Sequence, residues 1–212
     1  MYIGHYAAAA VLVTFVPASP VTPIAVGVAW PDLVWPVLVV MGRERVTVGR
    51  NDPLQRSIRF DSYPFSHSLV LSNLFTLVPA AIVALLYDSV LLGVLFWVAT
   101  ISHWVLDLVV HLHDLPVLGF GGKDRTLGFG LWRYPRTAFV TEYIFFATVV
   151  LLTARPTAYV GVLSGGLCLH LLNANSFFGF SRHNPFNTPA RLAFITLVGY
   201  VGAIAWFTLA WK

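Results

Sequence analysis

The chain has 212 residues, of which 58% are apolar, 15% aromatic and only 10% charged, against about 25% charged in an ordinary soluble domain. With a mean hydropathy of +0.77 it lacks the polar surface to clothe a water-facing core and is too apolar for a disordered chain, so lipid is the expected solvent. The formal charge of +4 then bears on membrane topology and not on nucleic-acid binding, and the single Cys168 excludes an internal disulfide or an all-cysteine metal cluster.

A spanning helix takes about 20 residues, so seven would use roughly 140. The expected architecture is therefore an all-α polytopic bundle of about seven membrane segments, a single integral membrane domain over residues 1–212. The first segment, 1–16, is short for a span, has no Lys or Arg ahead of its apolar run, and is followed by Pro17, Pro20 and Pro23. The second, 24–41, contains WPDLVWP, where Pro31 and Pro36 each remove a backbone donor and predict a bend around Asp32. A polar loop from 42 to 64 carries Arg43, Arg45, Arg50, Arg56 and Arg59. Apolar segments follow at 65–87, 89–112, 137–154, 157–177 and 189–211, with tight turns at Tyr87-Asp88 and Arg155-Pro156 that predict helical hairpins. If all seven span, one side collects eleven of the thirteen basic residues, and the positive-inside rule places that side and the N-terminus in the cytoplasm. The expected location is the cytoplasmic, or inner, membrane, with membrane lipid as partner.

Ionisable side chains at hydrocarbon depth cost a few kcal/mol each on insertion scales and mark function. Here they fall in one half of the membrane: His5, Asp32, His67, His103, Asp107 and His111. In SHWVLDLVVHLHD, residues 102–114, His103 and Asp107 are one helical turn apart and form a natural ligand pair for a divalent ion such as Zn²⁺. His111, two turns from His103, is about 12 Å along the axis, too far for both to bind one ion comfortably, which leaves it as a second-site ligand, a proton-handling residue or an interfacial one. The alternative is a metal-free hydrogen bond between His103 and Asp107. Asp32 needs a partner at its depth, His67 sits at the start of segment three, and His5 is either a ligand or an interfacial residue. Asp61, ahead of Pro64, is either a helix cap or a proton-handling carboxylate at the mouth.

The loop GFGGKDRTLGFGLWRYP, 119–135, offers Lys123, Arg125 and Arg133 to a phosphate headgroup beside the metal, or is simply an interfacial loop with basic and aromatic anchors. His170, Asn173 and Glu142 are further polar residues in the C-terminal segments, and His183 lies in the loop after them. Asn and His at such positions commonly hold helices together.

In order along the chain, His5, AWPDLVW, PFSHSL and SHWVLD resemble the prokaryotic membrane-bound metal-dependent hydrolases of the YdjM type, over roughly residues 1–115. That resemblance implies a metal site, with zinc as the expected ion through the family's remote similarity to zinc-dependent phospholipase C. Two positions depart from the family pattern: Val34 stands where a second Asp is usual, and Ser62 where a further His precedes the Thr-His-Ser motif, itself altered to Ser66. The departures favour one ion over a multinuclear centre, with Asp61 a stand-in for the missing His. The expected function is hydrolysis of an amphiphilic ester or phosphoester at the cytoplasmic leaflet. Transport of a cation or protons, a haem or quinone subunit, and a structural or assembly subunit of a membrane complex are the alternatives.

Overall fold

A computed structural model describes residues 1–49, 51–120 and 124–212; Arg50 and Lys123, singled out above, lie outside them. The elements in chain order are α1 (Gly4–Val13), α2 (Thr22–Val40), β1 (Arg45–Thr47), β2 (Arg59–Ser62), α3 (Pro64–His67), α4 (Leu71–Leu86), α5 (Val90–Val110), β3 (Leu115–Pro116), β4 (Thr126–Leu127), α6 (Pro135–Thr153), α7 (Pro156–Leu172), α8 (Ala174–Phe178) and α9 (Pro189–Ala210). β1 pairs antiparallel with β2, and β3 with β4.

The expected seven spans are not supported, and four candidates remain. Among the described residues, α2, α5, α6 and α9 are long and apolar enough to cross a membrane, whereas α1, α4 and α7 are apolar but shorter. At about 1.5 Å rise per residue, the 10 residues of α1 cover roughly half of a hydrocarbon core of about 30 Å. The same helix is buried on nearly every side, with His5, Tyr6, Ala9 and Ala10 fully enclosed, so it is an interior helix rather than a lipid-facing span. Segment three also divides: α3 is one turn, Ser68 is extended (ψ 145°), and α4 starts only at Leu71. The interruption is held by a distant strand segment, since the amides of Leu69, Val70 and Leu71 donate to the carbonyls of Pro116, Val117 and Leu118.

α2 packs chiefly on α9 and α5, α4 on α5, and α1 on α6. The core of this packing runs through Tyr6, Ala10, Ile24, Val28, Ala99, Phe146, Ala203 and Phe207. α2 continues unbroken through Pro31 and Pro36. Pro31 leaves the Gly27 carbonyl without its i+4 amide donor, and the Thr100 hydroxyl of α5 donates to that carbonyl at 3.1 Å. Gly27 also permits the close crossing, because a Cβ there would lie 2.8 Å from the Phe96 carbonyl oxygen. A proline and a glycine in α2 thus seat α5, the helix that carries His103 and Asp107.

The start of α1 has no capping side chain of its own. Glu142 of α6 takes that role, accepting from the Tyr2 amide at 2.5 Å and the Gly4 amide at 3.0 Å. It therefore fixes the turn that presents His5. Large apolar side chains such as Leu74, Phe75, Val78, Leu85 and Leu86 on α4 are exposed, which fits a lipid-facing surface.

Candidate metal centre

The structure brings His5, Asp32, His67, His103 and Asp107, read from four separate apolar segments, to one point between α1, α2, α3 and α5. His5 Nε2 lies 3.2 Å from Asp107 Oδ1, and His103 Nε2 lies 3.2 Å from Asp107 Oδ2 and 3.5 Å from Asp32 Oδ2. His67 Nε2 is 3.4 Å from Asp32 Oδ1 and 3.9 Å from Asp107 Oδ2. The amino nitrogen of Met1 is 2.5 Å from Asp107 Oδ1. Side-chain exposure is 0% for His5 and His103, 3% for Asp107, 5% for His67 and 17% for Asp32. Water therefore screens the two carboxylates poorly, and cationic or donor partners must supply the compensation.

The outer nitrogens fix the tautomers. A carbonyl oxygen only accepts, so His103 Nδ1, 2.7 Å from the Val28 carbonyl, carries the proton and leaves Nε2 as a bare lone pair. For His67 the chain is longer. The Ser66 hydroxyl donates to Glu44 Oε2 at 2.6 Å and therefore accepts from His67 Nδ1 at 2.7 Å. Again Nε2 is left bare and faces the carboxylates. Glu44 is held by two further donors, the Phe65 and Ser66 amides at 2.8 and 2.9 Å. It lies in the interhelical segment after α2, and burial pushes its carboxyl pKa up against the pull of these donors. His5 stacks on His103, with ring centroids 3.7 Å apart and planes 6° from parallel.

Lone pairs of imidazole set against carboxylate oxygens repel unless a cation or proton lies between them. Among the described residues, both His5 nitrogens and His103 Nε2 are buried without a hydrogen-bond partner. The donor chemistry, neutral imidazole with carboxylate, fits a divalent ion of the zinc class. Two ligand triads have their donor atoms within 4.8 Å of one another: His5, His103 and Asp107, and Asp32, His67 and His103. Both draw on His103, whose only free nitrogen is Nε2, so the two triads overlap at one atom and are not two independent candidate sites.

His111, the C-cap of α5, extends the cluster outward. Its Nε2 is 3.5 Å from Asp107 Oδ2, and its Nδ1 is 3.0 Å from Asp114 Oδ1 and 3.2 Å from the Tyr63 hydroxyl. Trp132 packs on its ring, with centroids 4.5 Å apart. Gly128 (φ 153°) and Gly130 (φ 77°) let the following loop close on this point: a Cβ at Gly128 would collide with the His111 carbonyl, and the Gly130 amide donates to that carbonyl at 2.8 Å.

Other candidates lie elsewhere. Asp61 is exposed on β2, where it accepts from the Thr47 hydroxyl at 2.6 Å and Arg59 at 3.5 Å. It falls at the irregularity in the β1–β2 register, where it has no cross-strand partner, and it belongs to neither ligand triad. Arg125 is exposed on the β3–β4 connection, and Arg133 points outward into a separate cleft while its neighbour Trp132 turns inward. Lys123 lies outside the described residues. His170 donates from Nε2 to the Phe139 carbonyl at 2.9 Å and stacks on the Phe139 ring, tying α7 to α6. The sequence reading missed Glu44, Ser66, Tyr63 and Asp114. The signals were present in the acid set between Arg43 and Arg45, the serine preceding His67, and the aspartate closing HLHD.

No protein-family model, curated protein or solved structure matches this chain.

Proposed function

We propose that this chain is a membrane-embedded, metal-dependent hydrolase acting on an amphiphilic ester or phosphoester drawn from the cytoplasmic leaflet. The observation that carries the reading is the set of buried imidazole Nε2 atoms, two of them with Nδ1 committed to outer acceptors, facing Asp32 and Asp107. The resemblance to YdjM-type proteins points the same way. His103, Asp107, Asp32, His67 and His5 would hold the ion, with zinc the best match to the donors. Such an ion supplies Lewis acidity toward an ester or phosphoryl oxygen and acidifies a water molecule.

The chain's own groups supply the rest. Val28 and the Ser66–Glu44 pair keep the proton on Nδ1 of His103 and His67, holding both Nε2 atoms in the ligating form. His111, oriented through Nδ1 by Asp114 and Tyr63, presents Nε2 at the rim of the ligand set, where it takes up and returns a proton. Support for an amphiphilic substrate comes from a cleft of about 260 Å³ lined by Trp30, Val34, Leu38, Phe65, Ser66 and Phe75. Its walls are almost wholly apolar, and Ser66 belongs both to this cleft and to the His67 relay. Val34, where the resembled family has an acid, is here part of the apolar wall. The concentration of basic residues in the loops at the end of the bundle where the cluster lies supports a cytoplasmic orientation.

The test is turnover by purified protein in nonionic detergent against a panel of short-chain carboxylic esters, phosphomonoesters and phosphodiesters. Zinc-dependent hydrolysis, lost on chelation and in His67→Ala, is the expected result. Zinc-loaded protein inert toward the entire panel, or hydrolysis that survives both chelation and His67→Ala, overturns the reading.

A further inference from the structure

A second concavity, of about 410 Å³, gathers Arg56, Arg133 and Arg136 with Leu54, Phe177 and Phe178 along its edge. The three arginines come from two stretches of chain that are remote in sequence: the turn before β2, and the entry to α6. Among the described residues none of the three has a carboxylate within salt-bridge distance, since the only arginine so paired is Arg59. Asp52, the acid nearest Arg56 in sequence, spends its carboxylate oxygens on the Ser57 hydroxyl and the Leu54 amide. Three like charges that converge on one hollow repel one another, and that repulsion turns into attraction for an anion seated between them.

The backbone adds to this charge. α6 begins with Pro135, and its N-cap Tyr134 offers no side-chain acceptor. The first-turn amides of Arg136 and Thr137 therefore have no intrahelical acceptor, and both residues line the hollow. An apolar cluster stands between this hollow and the candidate metal centre: Trp132 packs against the His111 ring, and Phe139 and Phe177 belong to the same cluster. The hollow is therefore not an arm of the ligand cluster. Part of its lining is apolar, with Phe178 stacked on Phe180 and Phe177 packed on Phe139.

We propose that this three-arginine hollow is a binding site for a phosphate-bearing anion, seated between the guanidinium groups with any attached apolar portion lying along Leu54, Phe177 and Phe178. The chemistry is that of a phosphomonoester group, supplied either by an anionic lipid headgroup or by a soluble phosphate. The inference does not rest on the hydrolase reading, because none of its residues belongs to the metal centre.

Equilibrium binding to the purified full-length chain in nonionic detergent tests it, using dihexanoyl phosphatidic acid, inorganic phosphate and dihexanoyl phosphatidylcholine as probes. The expected result is saturable binding of dihexanoyl phosphatidic acid that weakens at least tenfold in R133Q/R136Q and severalfold in R56Q, and that falls with added salt. Thermal midpoints of both variants are expected to match the parent, as all three side chains are exposed. Phosphatidic acid bound more tightly than inorganic phosphate, with both arginine-dependent, identifies a lipid headgroup; equal affinities identify a free phosphate group. Absence of saturable binding for both phosphate probes, binding undiminished in both variants, or equal binding of the zwitterionic phosphatidylcholine overturns the proposal.

Discussion

His5 and His103 stack face to face, centroids 3.7 Å apart, with the Nε2 of each 3.2 Å from an oxygen of the same Asp107 carboxylate. Two imidazoles in this arrangement contribute packing and lone pairs at once, and a substitution can separate the two. His5→Phe keeps a flat ring against His103 but removes both nitrogens. The expected outcome is a loss of metal affinity larger than the ~10–100-fold seen when an outer partner of a ligand is removed, with a thermal midpoint close to that of the parent. Competition with a chromophoric chelator measures the first and a thermal scan the second. Unchanged affinity would remove His5 from the ligand set.

Glu44→Gln tests the relay behind His67. An amide cannot accept the Ser66 hydroxyl proton from its nitrogen end, so the hydroxyl is freed to donate to His67 Nδ1 and to drive the ring proton to Nε2, where it opposes metal binding. Metal affinity is expected to fall about 10–100-fold, and Ser66→Ala is expected to do the same. The pH dependence has a fixed sign. Burial raises the Glu44 pKa in the folded state, so between the unfolded value of about 4.3 and the folded one the native state binds the extra proton. Glu44 therefore contributes stability at low pH that is lost as pH rises through that window. Thermal midpoints measured from pH 4 upward are expected to decline less in Glu44→Gln than in the parent.

Thr100→Val tests how α2 is seated on α5. The replacement has the same shape but strands the Gly27 carbonyl, which Pro31 has already deprived of its helical donor; the expected cost is about 1–3 kcal/mol. Pro31→Ala restores an amide donor four residues on. The double variant is expected to recover part of that cost, with a coupling of at least about 0.5 kcal/mol in a double-mutant cycle. Additive effects would show that the hydroxyl and the proline act separately.

Much of the candidate site was legible because intramembrane charge is scarce: Asp32 between its prolines, and His103 with Asp107 at i and i+4, stand out against an apolar background. Their convergence followed from depth along each segment, which needs only the rise of a helix. The number of spans was not legible, because apolarity alone does not separate an interior helix such as α1 from a lipid-facing one. The division of segment three depends on amides of Leu69, Val70 and Leu71 meeting carbonyls more than 40 residues away, a competition that local periodicity does not register. Glu44 reads as a solvated charge in a basic loop, and only the fold buries it under Phe65 and Ser66. Asp61 shows the converse: close to His67 in sequence, it is exposed on β2 with its oxygens taken by Thr47 and Arg59.

Glu142→Ala tests the support of α1. Removing the carboxylate leaves the Tyr2 and Gly4 amides without their acceptor in a buried setting, and a loss of about 1–3 kcal/mol is expected. Glu142→Gln keeps an acceptor oxygen and is expected to lose less. Since α1 carries His5, metal affinity is expected to fall in the same order. Thermal scans with and without zinc read both effects, and equal stability of Glu142→Ala and the parent would show that the cap is not holding the helix.

The central claim is that one divalent ion sits among His5, Asp32, His67, His103 and Asp107, and element-specific analysis of the purified protein tests it most directly. The account predicts about one zinc-class ion per chain, and less than a tenth of that content in D32N/D107N protein that remains helical and monodisperse. Parent protein that carries no ion after purification from zinc-supplemented cells and gains no thermal stability on zinc addition, or a D32N/D107N variant that retains the full content, contradicts it.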